Sequence, residues 1–208
     1  MVPPKQPLSM IRSYTVADLF TLANASSGSL CIFLCLGFIA DERRAELWAA
    51  FLLPLAALIF DILDGYVARL DKRRQSQLGA DLDSLADIVS FGVAPAVLGY
   101  TLGLRGFWDV ACLTYFVCCG ISRLARFNVT SAALTNVATG KVRYFEGTPI
   151  PTSIVIVLLL AIVYGTGHTG ANFWLGHWTF VTRVVHPFSI IYFVSGSLMI
   201  STIKIPKP

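Results

Sequence analysis

Apolar residues run through this chain in long blocks rather than in short alternating runs. Six stretches, near 22–40, 45–70, 79–101, 106–127, 150–166 and 186–203, are candidates to cross a hydrocarbon core of about 30 Å, which needs about 20 residues per helix. Small residues within them are tolerated where helices touch. Residues 1–8 form a Pro-rich tail. From 9 to 22, Ile11, Tyr14, Leu19, Phe20 and Leu22 alternate with polar positions, which predicts an N-terminal interfacial amphipathic helix before the chain turns inward. No basic-then-apolar leader with a small-residue cleavage site opens the sequence, so the first span is expected to be retained. The expectation is an all-α integral membrane fold of six transmembrane helices, a single transmembrane domain over 1–208, with polar connections around 128–149 and 167–185.

Composition supports this. At 55% hydrophobic and 13% charged residues, with a mean hydropathy of +0.69, the chain is too apolar for an ordinary soluble domain of its length. With six spans, twelve cations fall on one side: Lys5, Arg12, Arg69, Lys72, Arg73, Arg74, Arg123, Arg126, Lys141, Arg143, Lys204 and Lys207. Four fall on the other: Arg43, Arg44, Arg105 and Arg183. The positive-inside rule then places both termini and the Asp-rich face in the cytoplasm. The net charge of +4 is thus a topological signal, and no nucleic-acid partner is needed to explain it. Anionic headgroups of membrane lipids and a phosphate-bearing substrate would meet this same side. Cysteines 31, 35, 112, 118 and 119 lack metal or redox spacing and are read as packing residues. His168, His177 and His186 fall on the opposite side, as interfacial residues.

Acidic residues inside a span are costly unless paired, hydrated or metal-bound. The run DILDGYVARLDKRRQSQLGADLDSLADIVSFGVAPA carries six aspartates. On a helix, Asp61, Asp64, Gly65, Ala68 and Arg69 share one stripe, and on the next helix Gly79, Asp83 and Asp87 share another at four-residue steps. Four carboxylates facing one another repel unless divalent cations lie between them, and hard oxygen ligands favour Mg²⁺ or Mn²⁺. Gly65, Gly79 and Ala68 let a bulky nucleotide approach backbone, and Arg69 offers a planar fork for a diphosphate. Asp71, Lys72, Arg73, Arg74 and Asp81 read as interfacial charges.

Written out, the pattern is Asp-x2-Asp-Gly-x2-Ala-Arg-x9-Gly-x3-Asp-x3-Asp, and at every fixed position it resembles the signature of the CDP-alcohol phosphotransferases. The resemblance implies a six-helix homodimer in which a CDP-linked lipid donates its phosphoryl group to a hydroxyl acceptor with release of CMP. It implies that Asp61, Asp64 and Asp83 bind the metals, two ions per site, with Asp87 also facing them and acting as the base. It further implies that Gly65, Arg69 and Gly79 contact CDP, with Ser76 near the nucleotide and Asn24 and Ser27 contributing from the first span.

The segments DSLADIVSFGVAPA, GISRLARFNVT and YFEGTPIPT resemble membrane-embedded phosphatidylserine synthases, most closely fungal and other eukaryotic ones, over roughly residues 14–155. The implied partners are CDP-diacylglycerol and L-serine. Arg123, Arg126 and Phe127 on the fourth span, and Glu146 before the fifth, are then the candidate serine contacts. The implied location is the endoplasmic reticulum, or a bacterial inner membrane, with the site facing the cytoplasm. Two alternatives stay open: a sibling enzyme that uses inositol or glycerol phosphate, and, from another class, a divalent-cation transporter.

Overall fold

The computed structural model describes residues 15–70, 77–135, 144–170, 173–174, 176, 178–180 and 183–206. Helix α1, Val16–Asp41, starts at a capping box: Thr15 and Asp18 each accept a hydrogen bond from the other's backbone N–H. It ends where Glu42 turns left-handed at φ 54° and returns its N–H to Phe38 O. The expected surface helix differs here. Residues 16–22 are the first turns of α1 itself, because the capping box starts the helix at Val16 and nothing breaks it before Asp41; residues 9–14 lie outside the described residues.

Helix α2, Arg44–Leu70, returns antiparallel and packs along α1. The third apolar stretch is one continuous helical path in three parts: α3, Gln77–Asp87; a π-helical turn, Ile88–Val93; and α4, Ala94–Leu102. Helix α5 covers Phe107–Thr135, so the polar connection expected from 128 starts as helix. A 3₁₀ turn, Ile150–Ser153, leads into α6, Ile154–Gly165, and α7 is Ser189–Met199. Two small antiparallel ladders add a β component that the all-α expectation lacked. Strand β1 (Tyr144–Glu146) pairs with β4 (Lys204–Pro206), and β2 (Trp178–Phe180) pairs with β3 (Arg183–Val185). They close chain segments that have no helix to supply their backbone hydrogen bonds.

Among the described residues, four helical stretches are long and apolar enough to cross a membrane: Val16–Asp41, Arg44–Leu70, Leu78–Leu102 and Phe107–Val129. The expected fifth and sixth spans appear as shorter apolar helices, Ile150–Gly165 and Ser189–Met199. The fifth stops at Gly165, just before Gly167 takes φ 79°, and the sixth begins only after Pro187 and ends at Met199, short of the expected 203. Large apolar side chains such as Phe33, Leu52, Ile62 and Leu85 point outward, as expected of surfaces that meet lipid.

The interior joins these helices by close contacts. Cys31 Sγ donates to Ala50 O at 3.2 Å, fastening α1 to α2, and Tyr192 Oη on α7 donates to Pro95 O at 2.6 Å. Cys31, Cys35 and Cys119 are buried as packing residues, whereas Cys118 faces outward from α5. At Gly28 the backbones of α1 and the π-helical turn meet: a Cβ there would lie 2.5 Å from Ser90 Oγ and 2.7 Å from Ser90 Cα. Only glycine allows that approach, and it brings the end of α3 against α1 beside the acidic stripe.

Candidate active site

The last turns of α2 and the whole of α3 bring the two predicted stripes face to face. Asp61, Asp83 and Asp87 can each point one carboxylate oxygen so that all three atoms lie within 4.8 Å of one another. Asp87 is 7% exposed, and Asp61 and Asp83 are half-buried, so the cluster is partly withdrawn from solvent. Asp83 Oδ1 is buried and has no hydrogen-bond partner among the described residues. Three carboxylates this close in apolar surroundings need cationic charge between them, and an all-oxygen donor set with an unpartnered buried oxygen suits a hard divalent cation.

Asp64 lies beside that triad, on a cavity it shares with Asp83. Thr21 Oγ1 on α1 lies 2.9 Å from Asp64 Oδ2, and Asp64 lines a cavity of about 500 Å³ together with Asp18, Gly65, Ala68, Gly79 and Asp83. The cavity lies between the start of α1, the end of α2 and the start of α3, so the expected glycines form its wall. Arg69 is exposed: its Nε donates to Gly65 O at 2.9 Å, folding the guanidinium back along α2. It stands near the cavity wall, over Gly65, rather than lining the cavity. Ser76 lies outside the described residues.

Helix α1 contributes more than the sequence reading assigned to it. Asn24 Nδ2 donates to Asp87 Oδ1 at 3.1 Å, and Ser90 Oγ in turn donates to Asn24 O at 2.8 Å. Asn24 therefore meets the carboxylate cluster directly. Ser27 spends its hydroxyl proton on Ala23 O at 2.9 Å, within its own helix, and does not line the cavity. Asp18 and Thr21 were missed, although a signal existed: Asp18, Thr21, Asn24 and Ser27 recur at three-residue steps in an otherwise apolar span, and all four are buried.

The four candidate acceptor contacts separate. Arg123 on α5 is half-buried, its Nε buried without a partner among the described residues, and it lies close enough to Asp87 to feel that charge. Arg126 and Phe127 are exposed on the same helix. Glu146 ends β1, paired with Lys204, and its side chain lies outside what the structure describes. One turn beyond, Ser84 Oγ donates to Asn128 Oδ1 at 3.0 Å and Asn128 Nδ2 donates to Asp81 Oδ1 at 3.2 Å, tying α5 to α3. This clamp was not anticipated.

Residues 14–188, which contain every element of the site, match the family model for CDP-alcohol phosphatidyltransferase. The chain belongs to that family. A CDP-diacylglycerol–serine O-phosphatidyltransferase of Saccharomyces cerevisiae is 43% identical over 204 residues, covering 96% of this chain and 73% of the yeast protein. An archaetidylserine synthase of Methanothermobacter thermautotrophicus is 40% identical over 142 residues, 67% of this chain and 54% of the relative. A CDP-diacylglycerol–serine O-phosphatidyltransferase of Mycobacterium tuberculosis is 38% identical over 163 residues, 76% of this chain and 55% of the relative. No solved structure matches. Membership explains why the acids outlast their cost in an apolar bundle, since the family's enzymes generally act with a divalent metal.

Proposed function

We propose that this chain is a multi-pass membrane phosphatidyltransferase that moves the phosphatidyl group of CDP-diacylglycerol to L-serine, giving phosphatidylserine and CMP. The observation that carries the reading is the Asp61, Asp83, Asp87 cluster beside a glycine-walled cavity, in a chain 43% identical over almost its whole length to a serine phosphatidyltransferase. Six membrane crossings with the site open to the cytoplasm, supported by the twelve-to-four split of cations, complete the proposal together with a homodimer and an endoplasmic-reticulum location.

In this reading Gly65, Gly79 and Ala68 give the nucleotide a backbone surface, and Arg69 reaches its phosphates. Asp61, Asp64, Asp83 and Asp87 would hold two Mg²⁺ or Mn²⁺ ions, which when bound would offset charge on the diphosphate and on departing CMP. Thr21 fixes Asp64 and Asn24 fixes Asp87, each through one hydrogen bond from α1. The serine hydroxyl lies in line with the bond to CMP. A bond forms between serine oxygen and the phosphatidyl phosphorus as the bond to the CMP oxygen breaks, and Asp87 accepts the hydroxyl proton.

Arg123 supplies the acceptor's anchor. An unpartnered guanidinium N–H buried near Asp87 suits a serine carboxylate. Arg123→Ala is expected to raise the serine KM by about tenfold or more with CDP-diacylglycerol affinity little changed, the cost of one charge-assisted hydrogen bond. Equal loss of donor affinity would place Arg123 on the phosphates instead. The reading as a whole is tested with purified protein in detergent, CDP-diacylglycerol and Mn²⁺, offered serine, inositol or glycerol 3-phosphate in turn. Serine alone is expected to release CMP; release with inositol but not serine would replace the acceptor, and no release with any would favour a transporter.

A further inference from the structure

Helix α5 is pinned at its start. Asp109, in its first turn, accepts from Gly106 N at 2.9 Å and from His186 N at 2.8 Å, and contacts His186 Nδ1 at 2.6 Å. Both side chains are buried, so His186 is a structural residue rather than the interfacial one expected. Beyond this anchor α5 packs mainly on α7, where Tyr115 stacks on Phe193 with 4.8 Å between ring centroids. Its packing against α3 is slight by comparison.

The far end of α5 is held to α3 by one residue, Asn128, roughly 28 Å from Asp109 at about 1.5 Å per residue. Its Oδ1 accepts from Ser84 Oγ at 3.0 Å and its Nδ2 donates to Asp81 Oδ1 at 3.2 Å. The two contacts ask for opposite polarity from one planar group, which an amide supplies and a carboxylate does not. Ser84 adjoins Asp83 and lies three residues before Asp87, so the clamp closes on the turns of α3 that carry the carboxylate cluster.

The two halves of the site depend on different helices. The donor cavity is lined from α1, α2 and α3, and none of its described lining residues comes from α5. Arg123, the proposed anchor of the acceptor, is on α5. An acceptor held from α5 must therefore meet a donor and a base held on α3, and a misplacement of about 1 Å between reacting groups can cost on the order of 10²-fold in rate.

We infer that Asn128 is a positioning residue for phosphatidyl transfer: through Ser84 and Asp81, its amide sets the register of the acceptor-bearing α5 against the aspartates of α3. This rests on the reading of Arg123 as the acceptor's anchor. Loss of the clamp falls on kcat, because Arg123 travels with α5 and keeps its hold on the acceptor while the hydroxyl leaves its line to the phosphorus and Asp87. The split is the reverse of that expected for Arg123→Ala.

Asn128→Asp sets a second carboxylate against Asp81 and still accepts from Ser84, and adding Asp81→Asn returns an amide to face a carboxylate. In purified full-length protein with CDP-diacylglycerol and Mn²⁺, Asn128→Asp is expected to lower kcat about tenfold or more. The serine KM and CDP-diacylglycerol affinity should stay within a few-fold of the parent. The Asn128→Asp, Asp81→Asn pair is expected to regain most of the rate. Melting in detergent gives a readout independent of turnover: the single Asn128→Asp substitution is expected to lower Tm by about 2–4 °C, the scale of one lost contact, and the pair to recover it. A raised serine KM with kcat intact would make Asn128 a substrate contact and overturn the positioning role. A rate or Tm that the pair fails to recover would overturn the clamp. The parent is assayed first, so the two readings fail separately. CMP release with inositol but not serine removes the serine reading, and the pair is then scored with inositol. No release from the parent with any acceptor removes both.

Discussion

Asp87→Asn is expected to slow single-turnover phosphatidyl transfer by roughly 10²-fold or more while CDP-diacylglycerol affinity stays within a few-fold of the parent, the scale of a lost general base. A serine hydroxyl is a weak nucleophile at neutral pH, and its proton must pass to a group within about 2.6–3.2 Å or one water. Asp87 ends the stripe on α3 and accepts from Asn24 on α1. An amide in its place keeps the shape and can still accept from Asn24 Nδ2, so the variant removes basicity with little loss of architecture. Donor affinity and rate must be measured separately, by equilibrium binding and rapid quench. Turnover within a few-fold of the parent would take Asp87 out of the base role, and a parallel collapse of donor binding would make it chiefly a metal ligand.

The second large effect is expected at Asp61. Chelation with excess EDTA should reduce CMP release to background and added Mn²⁺ or Mg²⁺ should restore it, with Asp61→Asn failing to recover at metal concentrations that saturate the parent. Residues that merely orient metal ligands contribute about 10–100-fold to metal affinity, and a direct ligand should cost at least as much. Asp61 shares the triad with Asp83, whose Oδ1 is buried without a partner among the described residues, so losing one oxygen donor leaves that atom without its counter-charge. Donor affinity should fall together with metal affinity on the proposed reading, in which the ions would offset the charge of the diphosphate. Full activity in excess EDTA would sink the metal reading.

Periodicity alone placed the four aspartates in two stripes. Three- and four-residue steps put Asp61 and Asp64 on one face of α2 and Asp83 and Asp87 on one face of α3, and the folded chain brings those faces together. It did not reveal that Asp64 would take a hydrogen bond from Thr21, because that depends on where α1 crosses, which only packing decides. The start of α1 was misplaced since a capping box can open a helix among polar residues as well as at an apolar boundary. The shortness of α7 was equally hidden: apolar residues, Ile200 and Ile203, continue past the point where the helix ends at Met199. Asp109 and His186 lie 77 positions apart, a separation at which no local pattern operates.

The π-helical turn at Ile88–Val93 has a bearing on how the third span divides its labour. One extra residue in a turn advances the helix by about 100° of azimuth relative to an uninterrupted α-helix. The portion before the turn therefore aims Asp83 and Asp87 at α1 and α2, while the portion after it is free to present Pro95 to Tyr192 of α7 on a different bearing. The aspartates and the packing surface thus occupy independent phases on what remains a single membrane crossing.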